Sequence, residues 1–320
     1  MRFIVTAIGS FSADCVIRNL KGAGHYIVGC DIYEGCWHAV SRICDSFYKA
    51  PYATDERAYV DFLLDVSCKE SINHIIPLTD LEVDVLNKYR QEFENVGVVL
   101  YIQSPDCLAV ARDKDHLCKL FENDVLVHVP KTVRLENWSN CSGLAFPLIA
   151  KPVNGRSSEG LFKIFTENEL MMLSGQSNYI VQQMINGTVF TVDYVRDQKG
   201  MDFAVPREEL LRTKNGAGTT VRVVNDQILS DTVSYIGSKL NVCGCVNMEF
   251  VFDSKSNLFF LIDINPRFSA GVAFTCMVGY DMVTSHIRCF EGKSILSPVI
   301  YKEQIITKRY IEEVLWTQTC

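Results

Sequence analysis

The sequence lacks the cysteine and histidine spacings of a metal-binding module. None of its 13 cysteines forms a Cys-x-x-Cys pair, and the six histidines do not cluster with them. A zinc site needs four grouped ligands, so we expect none. Only Cys243 and Cys245 lie close together. We therefore expect scattered, mostly buried and reduced thiols, as in a cytoplasmic protein.

Excess positive charge and long apolar runs are also absent. The chain carries 31 Lys and Arg against 38 Asp and Glu, a net charge of −7, which disfavours nucleic acid and anionic membranes as partners. No apolar run approaches the roughly 18 residues of a membrane-spanning helix. The N-terminus begins in a strand, without the basic region and cleavage site of a signal peptide. With 320 residues, 48% of them hydrophobic, we expect a cytoplasmic globular protein of two or three domains.

Strands and helices alternate in the N-terminal third. Strands are predicted at 2–7, 26–30, 74–78 and 96–102, and helices after Ser12 and at 57–68. This order predicts a doubly wound parallel sheet, which binds ligands beyond the carboxyl ends of its strands. Gly9 and Thr79 lie at such ends, although a tight turn and a helix cap would explain them equally well. The Gly-x-Gly-x-x-Gly fingerprint is absent, which argues against NAD.

The middle of the chain holds segments suited to phosphate. A buried strand at 146–152 carries Lys151, and a lysine in an apolar run needs a partner. The loop at 154–160 follows, and its glycines and Arg156 could cover phosphates with backbone N–H groups. An ordinary mobile hairpin is the alternative. The strand and linker at 179–187 could offer backbone groups to an adenine ring.

Two strands at 246–252 and 258–265 form a predicted hairpin that ends in Asn265-Pro-Arg267. If Phe252 pairs with Leu258, alternation puts Leu261, Asp263 and Asn265 on one face, with Glu249 diagonal to Asp263. Two carboxylates beside an amide are oxygen ligands of the kind that Mg²⁺ takes together with nucleotide phosphates. An edge hairpin with solvated acids is the alternative.

The order of these segments resembles the ATP-grasp superfamily, most closely its carbamoyl-phosphate-synthase-like branch. Four blocks carry the resemblance, and they are Asp113-Lys114, 147–152 with its glycine loop, 181–193, and 247–267 with its Asp-Ile-Asn-Pro-Arg ending. The resemblance implies an α/β chain (α+β overall) in three parts. These are a doubly wound pre-ATP-grasp domain at 1–105, a small lid lobe at 106–180, and an antiparallel C-terminal lobe at 181–320.

The resemblance also implies roles for individual residues. Lys114, Lys151 and Arg156 would contact ATP phosphates, and Lys151 also lies within reach of the adenine. Catalysis would rest on Lys151 and on Arg267, which would stabilise charge on the transferring phosphoryl group. The remaining implied ligands are backbone groups of Gln183, Met184 and Ile185 for adenine, and Glu249, Asp263 and Asn265 for Mg²⁺, with Mn²⁺ as a substitute.

The sequence departs from the family at three points. Asp263 stands where the family usually has Glu, one methylene longer. The acid that usually binds ribose is missing from Thr188-Val189-Phe190, and Asp193, further along the chain, is the acid expected to bind the nucleotide in its place. Ser157 and Ser158 replace glycines that are common in the lid loop. These departures bear mainly on nucleotide affinity.

The resemblance implies an ATP-dependent ligase. ATP would phosphorylate a small-molecule carboxylate, and an amine would displace phosphate from the acyl phosphate, leaving ADP and phosphate. No Gly-x-Ser-x-Gly or paired Cys and His indicates a covalent nucleophile. An ATP- or metabolite-binding regulatory module without turnover is the alternative. Carbamoyl phosphate synthesis is not expected, because the chain resembles one synthetase half without a glutaminase. A homodimer is compatible with the sequence.

Overall fold

Three sheets organise the protein, a five-stranded parallel one, a four-stranded one and a six-stranded one. They are seen in a computed structural model that describes residues 1–140, 143–155 and 159–308. The mixed α/β architecture and the N-terminal parallel sheet confirm the predicted fold class. The predicted domain limits at 105 and 180 stay predictions.

The N-terminal sheet has the strand order β3-β2-β1-β4-β5, with all pairs parallel. Helix α1 packs its apolar stripe, Ala13, Val16, Ile17 and Leu20, into the core, as its spacing predicts. The elements are β1 (Arg2–Val5), α1 (Ala13–Gly22), β2 (Tyr26–Asp31), β3 (Ser46–Lys49), α2 (Glu56–Lys69), β4 (His74–Ile76), α3 (Asp80–Lys88), α4 (Arg90–Asn95) and β5 (Val99–Leu100).

Strand β1 ends two residues before the predicted limit. Ala7 has φ of 47°, in the left-handed region, so extended backbone cannot continue through it. Strand β3 was not predicted, because its Ser-Phe-Tyr-Lys segment is too short for a periodic pattern. The sheet's carboxyl edge therefore presents the segment after β1, the end of β2 and the start of α3.

The small sheet has the order β6-β9-β7-β8 and is antiparallel. Strand β7 lies between β8 and β9, which buries Leu148 and Ala150 and places Lys151 near the strand's end. The elements of this segment are α5 (Pro105–Ala111), α6 (Lys114–Phe121), β6 (Thr132–Arg134), β7 (Leu148–Pro152), β8 (Phe162–Ile164), α7 (Glu167–Met171) and β9 (Tyr179–Gln183).

The large sheet has the order β14-β13-β10-β11-β12-β15 and is antiparallel. Helix α8 packs against β10 and β11, and α10 packs against β10 and β13. The elements are β10 (Thr188–Arg196), β11 (Asp202–Arg212), β12 (Gly218–Val223), α8 (Gln227–Lys239), β13 (Gly244–Asp253), β14 (Leu258–Asn265), α9 (Val272–Met277), α10 (Met282–Phe290) and β15 (Gln304–Thr307).

The predicted register of the β13–β14 hairpin is wrong by one residue. Asp253, rather than Phe252, pairs with Leu258, and a bulge then places Glu249 directly opposite Asp263. The extra residue in β14 reverses the alternation. Leu261 consequently faces the apolar core, not the face that carries Asp263.

Ten of the described cysteines have free thiols, and five of these are buried. Cys36 departs from the prediction of reduced thiols, because it takes part in a disulfide. Among the described residues, no group of three or more His, Cys, Asp or Glu side chains is arranged to hold a metal, and no helix is long and apolar enough to cross a membrane.

Candidate active site

A cavity of about 780 Å³ lies where the three sheets meet. The parallel sheet contributes its carboxyl edge, the small sheet contributes Lys151, and the large sheet contributes the β13–β14 hairpin. Six of the predicted site residues line the cavity, and they are Lys114, Lys151, Glu249, Asp263, Asn265 and Arg267. Residues far apart in the sequence thus share one space of the size of a ligand pocket.

Lys114 and Lys151 are the cations on the small-sheet side of the cavity. Lys114 Nζ lies 3.0 Å from Asp263 Oδ1 and donates a hydrogen bond to the Gly155 carbonyl at 2.9 Å. Lys151 Nζ donates to the Ile262 carbonyl at 3.3 Å. Burial lowers the pKa of Lys151, although the Asp263 charge opposes that shift. Lys151 therefore carries a desolvated charge that an anionic ligand would stabilise.

Four oxygen-bearing side chains lie together on one face of the β13–β14 hairpin. Glu249 pairs with Asp263 across the ladder, and Asn247 pairs with Asn265. Arg212 Nη2 forms an ion pair with Glu249 Oε2 at 3.1 Å. Burial raises the pKa of Glu249, only partly offset by Arg212. The hairpin does form the edge of the large sheet, but its two acids are partly buried, which contradicts the solvated acids of the alternative.

This donor set fits a divalent cation. Two carboxylates with a neighbouring amide are hard oxygen donors, the ligands that Mg²⁺ prefers. Lys114 and Arg212 now neutralise the two carboxylates. Glu249, Asp263 and Asn265 are thus the residues that would hold Mg²⁺, a role that stays a prediction.

Arg267 connects the large sheet to the parallel sheet. Its Nε and Nη2 donate to Asp80 Oδ1 and Oδ2 at 3.1 and 2.7 Å, and its Nη1 donates to the Phe268 carbonyl at 3.0 Å. Burial alone would raise the pKa of Asp80, but Arg267 and Arg112 outweigh it and lower that pKa. Because two-point contacts fix a guanidinium plane, Arg267 is held in one orientation at the cavity wall.

The predicted adenine-binding segment lies at the end of β9, outside the set of cavity-lining residues. The Gln183 backbone N–H donates to the Lys131 carbonyl at 2.9 Å, and the Met184 N–H donates to the Pro147 carbonyl at 3.3 Å. Two of the expected N–H donors are therefore occupied. The adenine contacts of Gln183, Met184 and Ile185 stay predictions.

Asp193, the acid predicted to bind nucleotide, is fully buried and does not line the cavity. Its Oδ2 lies 2.7 Å from Arg207 Nη1 and accepts the Thr275 hydroxyl at 2.7 Å, while its Oδ1 accepts from Asn247 Nδ2 at 3.3 Å. These partners occupy both carboxylate oxygens, and no surface remains for a ribose. The structure assigns Asp193 to the packing of the large sheet.

Arg156, Ser157 and Ser158 lie outside the described residues, so the predicted role of Arg156 stays a prediction. Arg207 and Asp80 are among the cavity residues that were not assigned a role from sequence. Arg207 is buried against Asp193 and lies 3.1 Å from Ser269 Oγ, and Asp80 orients Arg267. An acid at the start of α3 and an arginine in β11 were visible in the sequence, but only the tertiary contacts reveal their partners.

Comparison with known proteins agrees with this geometry. The ATP-grasp domain family matches residues 111–271, and the PylC-like N-terminal domain family matches residues 23–101. The carbamoyl phosphate synthase arginine-specific large chain of Bacillus subtilis is 21% identical over 288 residues. That match covers 84% of this chain but 27% of the relative, so the chain spans about a quarter of that relative's length.

Solved structures show the same fold at low sequence identity. N5-carboxyaminoimidazole synthetase from Staphylococcus aureus superposes with a TM-score of 0.77 and 16% identity, covering 96% of this chain and 81% of that chain. N5-carboxyaminoimidazole ribonucleotide synthetase from Thermotoga maritima gives 0.70 and 17%, covering 95% and 79%. L-amino acid ligase from Bacillus licheniformis gives 0.72 and 13%, covering 91% and 74%.

Proposed function

Since the chain belongs to the ATP-grasp family, whose domain matches about half of its residues, we propose that it is an ATP-dependent ligase that activates a carboxylate. One observation carries the proposal. A single cavity holds two lysines, two facing acids with an amide, and an oriented arginine. Phosphoryl transfer needs this combination of cations and oxygen ligands more than it needs a covalent nucleophile.

In the proposed reaction, a substrate carboxylate oxygen attacks the γ-phosphorus of ATP, and ADP leaves. Lys114 and Lys151 stabilise the phosphate charges, while Arg267 faces the charge that develops on the transferring group. Mg²⁺, held by Glu249, Asp263 and Asn265, would screen the phosphates when bound. An amine then attacks the acyl carbon, the C–N bond forms, and phosphate leaves with the electron pair of the broken C–O bond.

The test is ADP release with a panel of carboxylates, each combined with hydroxylamine as the nucleophile. An acyl phosphate reacts with hydroxylamine to give a hydroxamate, which reports activation without knowledge of the natural amine. We expect at least one carboxylate to give ATP- and Mg²⁺-dependent hydroxamate that Arg267→Ala abolishes. ATP binding without hydroxamate from any carboxylate would contradict the proposal.

A regulatory module that binds ATP or a metabolite without turnover is the second candidate. The burial of Asp193 favours it, because Asp193 is the acid expected to replace the missing ribose-binding residue after Gly187, and it has no exposed surface. The similar structures from Thermotoga maritima and Bacillus licheniformis are named as a synthetase and a ligase, which are enzymes, and this supports turnover instead. Calorimetric binding of ATP together with a complete absence of ADP formation would favour the regulatory module.

A further inference from the structure

The end of the cavity that faces the parallel sheet takes no part in the chemistry described above. It lies beyond the carboxyl ends of β1 and β2, where doubly wound sheets bind ligands. Gly9, Asp31, Tyr33 and Tyr52 line it. Ala7 also lines this end and holds φ of 47°, a conformation that costs a non-glycine residue free energy and that clusters at functional sites.

Asp31 is a buried carboxylate without a permanent cation. It accepts the Gly9 N–H at 2.9 Å and the Tyr33 N–H at 3.2 Å, and its side chain is 7% exposed. Within the described part of the chain, His38 is the only ion-pair partner of Asp31, with Nε2 3.1 Å from Oδ1. A buried acid without Lys or Arg is costly unless a cation reaches it. The open side of Asp31 is the cavity.

Aromatic rings stand around the same end of the cavity. Tyr33 is 47% exposed and Tyr52 is 60% exposed, values that are high for large aromatic side chains. Trp37 stacks on Tyr33 with ring centroids 5.7 Å apart, so the two rings form one exposed aromatic surface at the cavity mouth. Ring faces attract cations and stack on planar apolar groups.

A side chain at position 9 would displace His38 and crowd Asp31. A Cβ at Gly9 would lie 2.6 Å from His38 Cε1 and 3.2 Å from Asp31 Oδ2. The turn after β1 therefore packs directly against Asp31 and His38, and the backbone holds the acid at the cavity wall.

We propose that this end of the cavity is a subsite for a substrate that carries a primary ammonium group on an aromatic body. Asp31 receives the ammonium, and Tyr33 and Tyr52 stack on the ring. The subsite is argued from its own contacts, but its assignment as the site of the attacking amine rests on the proposed ligase function. In that reaction the ammonium first passes a proton to Asp31, because only the neutral amine has a lone pair with which to attack the acyl carbon. A structural role of Asp31, confined to holding the Gly9 and Tyr33 N–H groups, predicts no such binding.

The test is calorimetric titration of the nucleotide-free protein with 2-phenylethylamine, and with 2-phenylethanol as the uncharged analogue. We expect saturation by the amine below ~10 mM and at least tenfold weaker binding of the alcohol. Asp31→Asn should weaken amine binding at least tenfold, and Tyr52→Ala should weaken it several-fold. Phe165→Ala is the control, because Phe165 is a 58% exposed ring outside the cavity wall, and it should change nothing.

Three results would overturn the subsite. They are an absence of saturation, equal binding of amine and alcohol, and unchanged amine affinity in both Asp31→Asn and Tyr52→Ala. Tyr52→Ala decides the matter if Asp31→Asn fails to fold, because Tyr52 is exposed. No nucleotide is present, so an absence of ATP turnover leaves the subsite intact. Ligase activity confined to amines without a ring would keep the proposed function and overturn the subsite.

Discussion

At the scale of single residues, the charged side chains that line the cavity form ion pairs with one another or with neighbouring protein groups. Lys114 neutralises Asp263, Arg212 neutralises Glu249, and Asp80 neutralises Arg267. Each pair couples a group suited to ATP or metal with a partner from another element. A ligand must therefore replace contacts that already exist, so binding of ATP should displace protein partners rather than simply fill a space.

Glu249 is one of the two carboxylates proposed to bind the metal. Glu249→Gln should therefore lower the rate of Mg²⁺-dependent turnover by about 100-fold or more. The same change should raise the melting temperature at pH 7. Burial raises the pKa of Glu249 above its ordinary value of 4.5, so the ionised carboxylate lowers folded-state stability above the folded pKa. Below pH 4.5 both states are protonated and the advantage of Gln should vanish.

Thermal melts of Glu249→Gln and wild type between pH 4 and pH 8, with ADP release in parallel, check both parts of this prediction. Glu208→Gln is a suitable control, because Glu208 pairs with the exposed Arg222 rather than with the cavity. Full turnover in Glu249→Gln would remove Glu249 from the metal site. A melting temperature that gains equally at pH 4 and pH 8 would contradict the pKa argument.

Lys151 is a cation proposed to contact the ATP phosphates. Because Lys151→Met removes that charge-assisted contact, it should weaken ATP binding by about tenfold or more. It should also stabilise the ligand-free protein, because a desolvated charge is replaced by an apolar side chain of similar length. Because the pKa of Lys151 is lowered in the folded protein, burying its charge destabilises the fold at neutral pH. This destabilisation disappears above pH 10.5, the ordinary pKa of lysine, where both states are neutral.

Calorimetry with ATP and urea unfolding at pH 7 measure the two effects of Lys151→Met. Lys163→Met is the matched control, because Lys163 belongs to the neighbouring strand β8 and does not line the cavity. Equal ATP affinity of wild type and Lys151→Met would return Lys151 to a purely structural role.

At the scale of elements, the N-terminus of α3 is what orients the proposed catalytic arginine. Thr79 and Glu82 form a capping box that starts the helix, and Asp80 follows the cap directly. We predict that Asp80→Asn lowers kcat about 100-fold, because a freed guanidinium loses its orientation. ATP affinity should change much less than kcat, since the ion-pair partners of Asp80 are Arg267 and Arg112, and Lys114 acts on Asp80 only through its more distant charge.

Asp84→Asn controls for the loss of an acid from the same helix. Asp84 pairs with Arg112 at 2.8 and 2.9 Å and makes no contact with Arg267. Steady-state kinetics and calorimetric ATP binding of both variants give the result. A matching fall in kcat for the two variants would mean that α3 acts through general stability and not through Arg267.

Element types could be predicted from the sequence where a pattern is long. The α1 stripe and the alternation of strands and helices specify the parallel sheet, because each pattern repeats over several turns or residues. The bulge between Glu249 and Phe250 could not be predicted, since a single extra residue leaves no periodic signal. This bulge places Glu249 directly opposite Asp263. The relative position of the two carboxylates could therefore be known only from the structure.

At the scale of the whole molecule, all three sheets contribute to the cavity wall, but the six predicted ligand groups lie on or beside the two antiparallel sheets. Residue types and motif order indicated Lys114, Lys151, Glu249, Asp263, Asn265 and Arg267, and the structure brings all six to one cavity. The contacts that occupy the Asp193 carboxylate, with Arg207 and Thr275, could not be predicted from the sequence. They join segments that are far apart in the chain. Tertiary pairing of charges leaves no local pattern.

A cavity shared by three sheets should couple ligand binding to the stability of the whole chain. ATP with Mg²⁺ at 100 times its dissociation constant should stabilise the protein by about 2.7 kcal/mol, if the unfolded chain has no affinity. Because Lys114 and Lys151 belong to α6 and β7 while Asp263 belongs to β14, the ligand should shift the unfolding of both antiparallel sheets together. Hydrogen exchange with and without ATP and Mg²⁺ would resolve the two sheets separately.

The Lys114→Met and Lys151→Met double variant should lose this stabilisation, and chelation of Mg²⁺ should reduce it in the wild type. A ligase and a regulatory module both predict the shift, so ADP release measured in the same samples separates them. Protection confined to the small sheet would mean that nucleotide does not reach the β13–β14 hairpin. In that case Glu249, Asp263 and Asn265 would not hold a metal that bridges to the phosphates.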